Sequence, residues 1–350
     1  MTPGRSIRSG LSSRRGLFIQ ANLLLGVGLL AYVMQAYGGQ AVAILRLDFS
    51  ATWFAGFVLA TTATIVCLSW RWGYIIRGLA KPPGLPLLTL YRSAAHTLAV
   101  LIPSAKLGGD PLRAWLATRS GLSPGHSIAG TVVDRTLEIG ASTPFSVLFA
   151  VMLLQYGVPR LENALVSIAV GTAALAVGVV IAVRRLRSGA GLVSALMRST
   201  GASRWRLVDA QRENVVEAET STALLSRQHR RMGVAFATGL FANLLVVVEF
   251  VCLLEAFDLP TTTIAVVAAM FATGAAHMFP VPAGVGVLEG AQMWMFEMLG
   301  YPADVGLAVG LAVRLREVLW MLPGVIFLVG RSLFAAGDRE RGQSAGDRPK

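Results

Sequence analysis

"AHTLAVLIPSAKLGGDPLRAW", residues 95–115, decides how this chain is read. It opens apolar, breaks at Pro103, and turns polar at once with Lys106, Asp110 and Arg113 before a second greasy stretch. Proline stops a helix because it lacks a donor and clashes with the preceding turn. Charges beside such a break are costly in a bilayer unless they face protein, one another or water. A second element of this kind, "AAHMFPVPAGVGVLEGAQMW", fills residues 275–294. At an offset of 179 positions Pro103 meets Pro282, Asp110 meets Glu289, Trp115 meets Trp294, Gly121 meets Gly300, Arg135 meets Arg314 and Glu138 meets Glu317, without a gap. Six matches in uncommon residue types are too many for chance, so an internal repeat is expected.

Working outward, the 350 residues are 54% hydrophobic and 14% charged. A soluble domain is nearer one quarter charged. Apolar runs long enough to cross a ~30 Å hydrocarbon core recur along the chain. The expected fold is an all-α integral membrane protein with about six full transmembrane helices, near 17–37, 52–70, 126–153, 161–183, 232–256 and 303–330. Two broken or re-entrant hairpins, 87–119 and 262–300, complete it. The run 17–37 exceeds the ~7–15 apolar residues of a signal peptide, so a retained anchor is expected there. The net charge of +12 does not point to nucleic acid, because the basic residues sit in the connections between apolar runs.

With the N-terminus inside, the connections on that side hold 22 Lys and Arg, and the outer ones hold only Arg46 and Arg160. This bias predicts a multi-pass bacterial inner-membrane protein with both termini cytoplasmic. The expected layout is a tail over 1–16, a first membrane half over 17–183 with its repeat core at 52–153, a basic linker over 184–231, a second half over 232–330, and a disordered tail over 331–350. Within the linker, Trp205 to Arg230 reads either as a surface amphipathic helix or as an ordinary connection. The spans 52–70 and 232–256 then run in opposite directions. Two related halves of opposite orientation, each with an interrupted hydrophobic segment, form the inverted-repeat pattern of secondary transporters, whose binding sites lie at the breaks.

The charges between 126 and 153 have helical spacing. Thr131, Arg135, Glu138 and Ser142 share one face. Arg135 and Glu138 lie roughly 14–18 Å along the helix from His126, close to mid-membrane. Each of the pairs Arg135–Glu138 and Arg314–Glu317 is either an internal ion pair or a head-group site, with the guanidinium taking a phosphate bidentately. Asp134 and Arg316 flank the pairs as network candidates. Asp110 and Glu289 open the short helices after the breaks, where an acid either caps the N-terminus or titrates against Lys106 or Arg113. His96 and His277 each follow Ala-Ala, as hydrogen-bonded core residues or as proton carriers. Glu249 is an isolated intramembrane acid, and a basic group of the hairpins or Arg314 is its expected partner. Pro103, Gly108, Gly109, Pro280, Pro282, Gly284 and Gly286 are the expected hinges. No metal-ligand spacing occurs, Cys67 and Cys252 stand alone in apolar runs, and no cofactor is expected. The Gly-x-Gly-x-x-Glu run follows no strand, so it is not a dinucleotide fingerprint.

At these residues the sequence resembles the flippase-like family, also called the lysylphosphatidylglycerol synthase transmembrane region. The resemblance rests on Pro103, Gly109-Asp110, Arg113, Gly121 and Asp134-Arg135, and on a second signature of Pro280, Pro282, Gly284, Gly286 and Glu289. It covers about 50–330. Members include the membrane half of bacterial lysylphosphatidylglycerol synthases and stand-alone proteins, some associated with hopanoid metabolism. The chain departs in having Leu98 and Ala99 where a polar Asn often precedes the first Pro, and Asp110 for the more usual Glu. No aminoacyl-transfer domain follows the last span, so the resemblance implies lipid translocation rather than lysine transfer. The expected substrate is a membrane lipid with an anionic or modified head group, moved between leaflets with proton coupling left open. Lys106, Asp110, Arg113, Arg135, Glu138, Glu289, Arg314 and Glu317 would handle the head group, and His96, Asp134, Glu249, His277 and Arg316 would relay protons or complete the network. Two other readings stay open: a membrane enzyme acting on a lipid head group, and an accessory subunit partnering lipid-synthesis proteins.

Overall fold

The computed structural model describes residues 39–45, 48–102, 108–157, 212–279 and 281–346, with a few isolated positions besides. Among these the regular elements are all helical. Helices α1 (Ala51–Ile76), α2 (Leu85–Leu101), α3 (Asp110–Thr118) and α4 (Pro124–Gln155) form one series. After α5 (Arg212–Arg227), a second series follows: α6 (His229–Glu255), α7 (Thr263–Ala276), a 3-10 turn at Pro282–Gly284, α8 (Val287–Met298) and α9 (Ala303–Gly346). Three of these helices, α1, α4 and α6, are long and apolar enough to cross a membrane. The expected spans 17–37 and 161–183 lie largely outside the described residues.

The two series keep step. Helices α1 to α4 open at Ala51, Leu85, Asp110 and Pro124. Positions 179 further on are 230, 264, 289 and 303, and α6 to α9 open at His229, Thr263, Val287 and Ala303. Gly121 and Gly300 both take positive φ at the end of their short helices. Pro144 inside α4 and Pro323 inside α9 also stand 179 apart. Their equivalence is a further match that the motif comparison passed over.

Long helices α1 and α6 run antiparallel. Ser50 at the start of α1 donates to Ala256 O at the end of α6 over 2.9 Å. At the other end Arg231 of α6 donates to Tyr74 O of α1 over 2.6 Å. The first arms cross between the series. Helix α2 lies along α9, where Thr97 bonds to Met321 O at 3.2 Å and Tyr91 packs on Phe327. Helix α7 lies along α4, with Val267, Ala268 and Ala272 against Ala150 and Leu153. Lipid tails offer no hydrophobic drive for helix association, so close contact of small residues carries it. Gly324 shows this: a Cβ there would sit 2.3 Å from the Ser93 carbonyl carbon. The outward faces stay apolar, as at Phe241, Leu244 and Val248 of α6, all about half exposed.

Two sequence expectations change, and a third, left open between a helix and an ordinary connection, meets a helix. The span 52–70 continues to Ile76, so Arg71 lies inside a helix and not in the connection where its charge was counted. Its face, Phe57, Thr61, Thr64, Arg71 and Ile75, keeps helical spacing without interruption and is buried throughout. The tail over 331–350, expected to be disordered, continues α9 to Gly346, because Leu, Ala, Arg and Glu outnumber breakers there. The linker ends in a formed helix, α5, which docks on the start of α4. Glu217 accepts from Ser123 Oγ at 2.7 Å and from Gly125 N at 3.1 Å, capping α4 in trans.

Gly324→Val should lower the thermal midpoint of the detergent-solubilised protein, because the added carbons meet α2 backbone; overpacking of this kind costs about 1–3 kcal/mol. Gly330→Val, where nothing lies within 4 Å, should leave the midpoint unchanged in the same melt.

Candidate functional site

Helix α4 carries Asp134, Arg135 and Glu138 in successive positions of one turn, and each reaches a different set of partners. Asp134 is fully buried. It accepts from Arg71 Nε of α1 at 2.8 Å, from Arg92 Nη2 of α2 at 2.6 Å and from Arg113 Nη1 of α3 at 2.6 Å. A carboxylate with two oxygens has about four acceptor sites, so three charge-assisted bonds fill most of them. Glu138 sits at the edge of this cluster, bonded to Arg135 at 2.8 Å and to Arg71 at 3.2 Å. Asp110, at the start of α3, takes Arg135 Nε at 2.9 Å and Arg113 Nη2 at 3.1 Å. The Arg113 guanidinium also lies 4.8 Å over the Trp72 ring.

The second series builds a matching triad. Arg314 Nε meets Glu289 at 2.7 Å and Arg314 Nη1 meets Glu317 at 2.7 Å. Asp110–Arg135–Glu138 and Glu289–Arg314–Glu317 therefore pair the same positions by the same atoms. Arg314 goes further: Nη1 also donates to Ala283 O, and Nη2 donates to Gly284 O at 2.9 Å and to Glu289 Oε2 at 3.0 Å. All five of its N–H donors are engaged by the chain itself. It thereby pins the break between α7 and α8 to α9. Glu289 also receives Gly286 N at 2.9 Å, the capping contact, and Gly286 has φ 77°, which glycine tolerates. Among the first-break hinges, Gly109 packs against α2 so closely that a Cβ would lie 2.0 Å from Ala95 O. Gly108 precedes it, and Pro282 opens the 3-10 turn. Lys106, Pro103 and Pro280 lie outside the described residues.

Beyond the triads the halves differ. Arg71, Arg92, Arg113 and Asp134 have Phe250, Phe271, Gln292 and Val313 at the equivalent positions. The four charged residues of one half are thus replaced by uncharged ones in the other. Gln292 instead donates to Ala269 O and Thr273 Oγ1, both at 2.9 Å. Glu249 finds Arg316 at 3.0 Å, with Thr61 at 2.7 Å and Trp320 Nε1 at 3.0 Å. Its partner is thus neither Arg314 nor a hairpin base, because Arg316 projects from the α9 face toward α6 while Arg314 faces the break. His96 lies against Trp320, with ring centroids 5.2 Å apart. His277 meets Glu317 at 2.5 Å. Arg71 and Arg92 are the members that sequence reasoning assigned no role. The unbroken helical register through Arg71 was the signal available for it; nothing local marks Arg92.

A cavity of about 190 Å³ opens over the first cluster, lined by Arg92, His96, Asp110, Arg113, Arg135, Glu138, Arg316 and Trp320. Among the described residues the connected cluster holds four arginines, 71, 92, 113 and 135, against three carboxylates, 110, 134 and 138. With all ionised, it carries one positive charge in excess beside the cavity. The buried Nε atoms of Arg92 and Arg113 have no hydrogen-bond partner among the described residues.

Long apolar helices whose buried charges face one another define a polytopic helical membrane protein with a polar interior. The family model described as the lysylphosphatidylglycerol synthase TM region matches residues 19–324, and the chain belongs to that family. It is accordingly a membrane protein related to lipid head-group modification or transport. No curated protein matches the chain.

Asp134→Asn should be far more destabilising than Glu138→Gln. The first leaves three buried guanidiniums short of a counter-charge, a loss on the order of 3–5 kcal/mol. The second alters a side chain that is one-third exposed. Thermal unfolding in detergent, followed by tryptophan fluorescence, ranks the two.

Proposed function

We propose that this chain moves lipids with a phosphodiester head group between bilayer leaflets, and that it receives the head group in the cavity over Arg92, Arg113 and Arg135. The carrying observation is the single surplus positive charge of the four-arginine cluster beside that cavity. A phosphodiester brings one negative charge and several acceptor oxygens, which answers the surplus. The cavity is smaller than the roughly 300–1,000 Å³ of drug-sized ligand pockets. It suits a head group whose acyl chains stay in the bilayer. Asp110 and Glu138 at its edge suit an amine carried by a modified head group.

The two series are read as inverted repeats in the membrane, supported by the shared offset of 179, the antiparallel α1 and α6, and the twin triads. Alternating access then consists of rocking one half against the other around the cavity. The breaks, with Arg314 holding one of them, supply the moving parts. Both termini are assigned to the cytoplasm of a bacterial inner membrane on the charge bias of the connections. No covalent step is assigned, and membrane lipid is the partner.

The second half supplies its own control. Replacing Arg71, Arg92, Arg113 and Asp134 together by Phe, Phe, Gln and Val copies the uncharged residues already present at the equivalent positions. Exchange of a whole buried ionic group for apolar residues is often neutral or stabilising. The fourfold variant should therefore elute and melt as a folded protein. In proteoliposomes carrying a trace fluorescent anionic phospholipid, bleached from outside by an impermeant reductant, wild type should expose the inner-leaflet pool. The variant, and Arg135→Ala, should behave as protein-free vesicles. Lipid movement at the parental rate in the fourfold variant sinks the assignment. Lipid analysis before and after the assay reads the enzymatic alternative directly, since that one requires a change in mass.

A further inference from the structure

The twin triads differ at one titratable side chain. His277 stands beside Glu317, whereas the equivalent position in the first half is Leu98. The imidazole Nδ1 lies 2.6 Å from Thr273 O. A carbonyl oxygen only accepts, so Nδ1 carries a hydrogen. Nε2 lies 2.5 Å from Glu317 Oε1. Two bare lone pairs repel at that separation, so a second hydrogen lies between them. The pair is either imidazolium with carboxylate or imidazole with carboxylic acid; both hold one removable proton. The other Glu317 oxygen accepts from Arg314.

Charge balance agrees. Arg314 against Glu289 and Glu317 leaves one negative charge in this group. The shared proton cancels it. The His277 and Glu317 side chains are 12% and 6% exposed, so an uncancelled charge there would be poorly hydrated. Among the described residues the other charged groups are engaged elsewhere. On α9, Arg316 is bound to Glu249 of α6. Glu289 of α8 reaches the pair through Arg314. The charged groups of α2 and α4, namely Arg92, Asp134, Arg135 and Glu138, join the first cluster, and His96 of α2 lies against Trp320.

We propose that His277 and Glu317 form a proton-binding site whose single proton ties α7 to α9, and that loss of this proton loosens the second broken hairpin where α7 meets α9, the Arg314 bonds remaining. On release the proton goes to water. The imidazole stays neutral with hydrogen on Nδ1, and Glu317 stays ionised against Arg314. Nε2 and Oε1 then repel and part. Arg314 also holds Ala283 and Gly284, so the change reaches the break directly. Only the coupling of this proton to lipid movement rests on the transport reading above.

Two measurements separate the site from that reading. In the detergent-solubilised protein labelled with ¹⁵N-histidine, the resonance missing from His277→Gln should titrate in wild type. In Glu317→Gln, whose amide can donate to Nε2 but has no proton to exchange, the same histidine should stay neutral further into acid. A wild-type His277 with the titration of a free histidine, unmoved by Glu317→Gln, overturns the site. In the proteoliposome assay a pH step across the membrane should alter the wild-type rate, by up to about tenfold per pH unit for one bound proton. Both His277→Gln and Glu317→Gln should lose that response. An undiminished response in both variants overturns the coupling. If wild type moves no lipid at any pH, the transport reading fails, and the histidine titration still decides the proton site.

Discussion

One carboxylate organises the first half of this molecule. Asp134 takes a guanidinium from α1, another from α2 and a third from α3, and so joins four helices at a single buried point. In a bilayer none of those arginines has water to fall back on. Their mutual repulsion is held off only by Asp134 and by the acids next to it, Glu138 and Asp110. Helix α3 has to return to the height where Arg113 meets Asp134, and Gly109 permits it by touching the α2 backbone.

The second half solves the same packing problem with a different chemistry. Phe250, Phe271, Gln292 and Val313 stand where the first half has Arg71, Arg92, Arg113 and Asp134. What both halves keep is the acid–Arg–Glu triad that fastens the short helix to the long one. Conserving the triad while exchanging the neighbouring cluster separates two jobs. The triad holds each broken hairpin in register. In the function we propose, the cluster receives an anion in one half and His277 holds a proton in the other.

This division explains why the arrangement is asymmetric although its backbone repeats. An anion and a proton arriving at opposite halves each remove an imbalance of one charge. The cross-packing of α2 on α9 and of α7 on α4 means that neither half can move without the other registering it. Close helix contacts through Gly324 and the alanines of α7 make that coupling mechanical rather than merely electrostatic.

How much of this the chain declared in advance differs by feature. Helical membrane class, the offset of 179 and the pairing of Arg with Glu at i,i+3 were all legible, because each follows from local composition or from spacing along one helix. The candidate site was half legible. Asp110, Arg135, Glu138, Glu289, Arg314 and Glu317 stood out as charges in apolar runs. Arg71 looked like an ordinary flanking base, since it lies one residue past an apolar stretch and only the tertiary fold buries it. The partner of Glu249 was equally undecidable, since the α9 helix offers Arg314 and Arg316 two residues apart, on different faces, and rotation about the helix axis selects between them. Sequence by itself determined which residues could not face lipid. Tertiary structure decided which of them meet, because contacts between helices depend on rotation, height and crossing, and none of these is written in the spacing of a single segment.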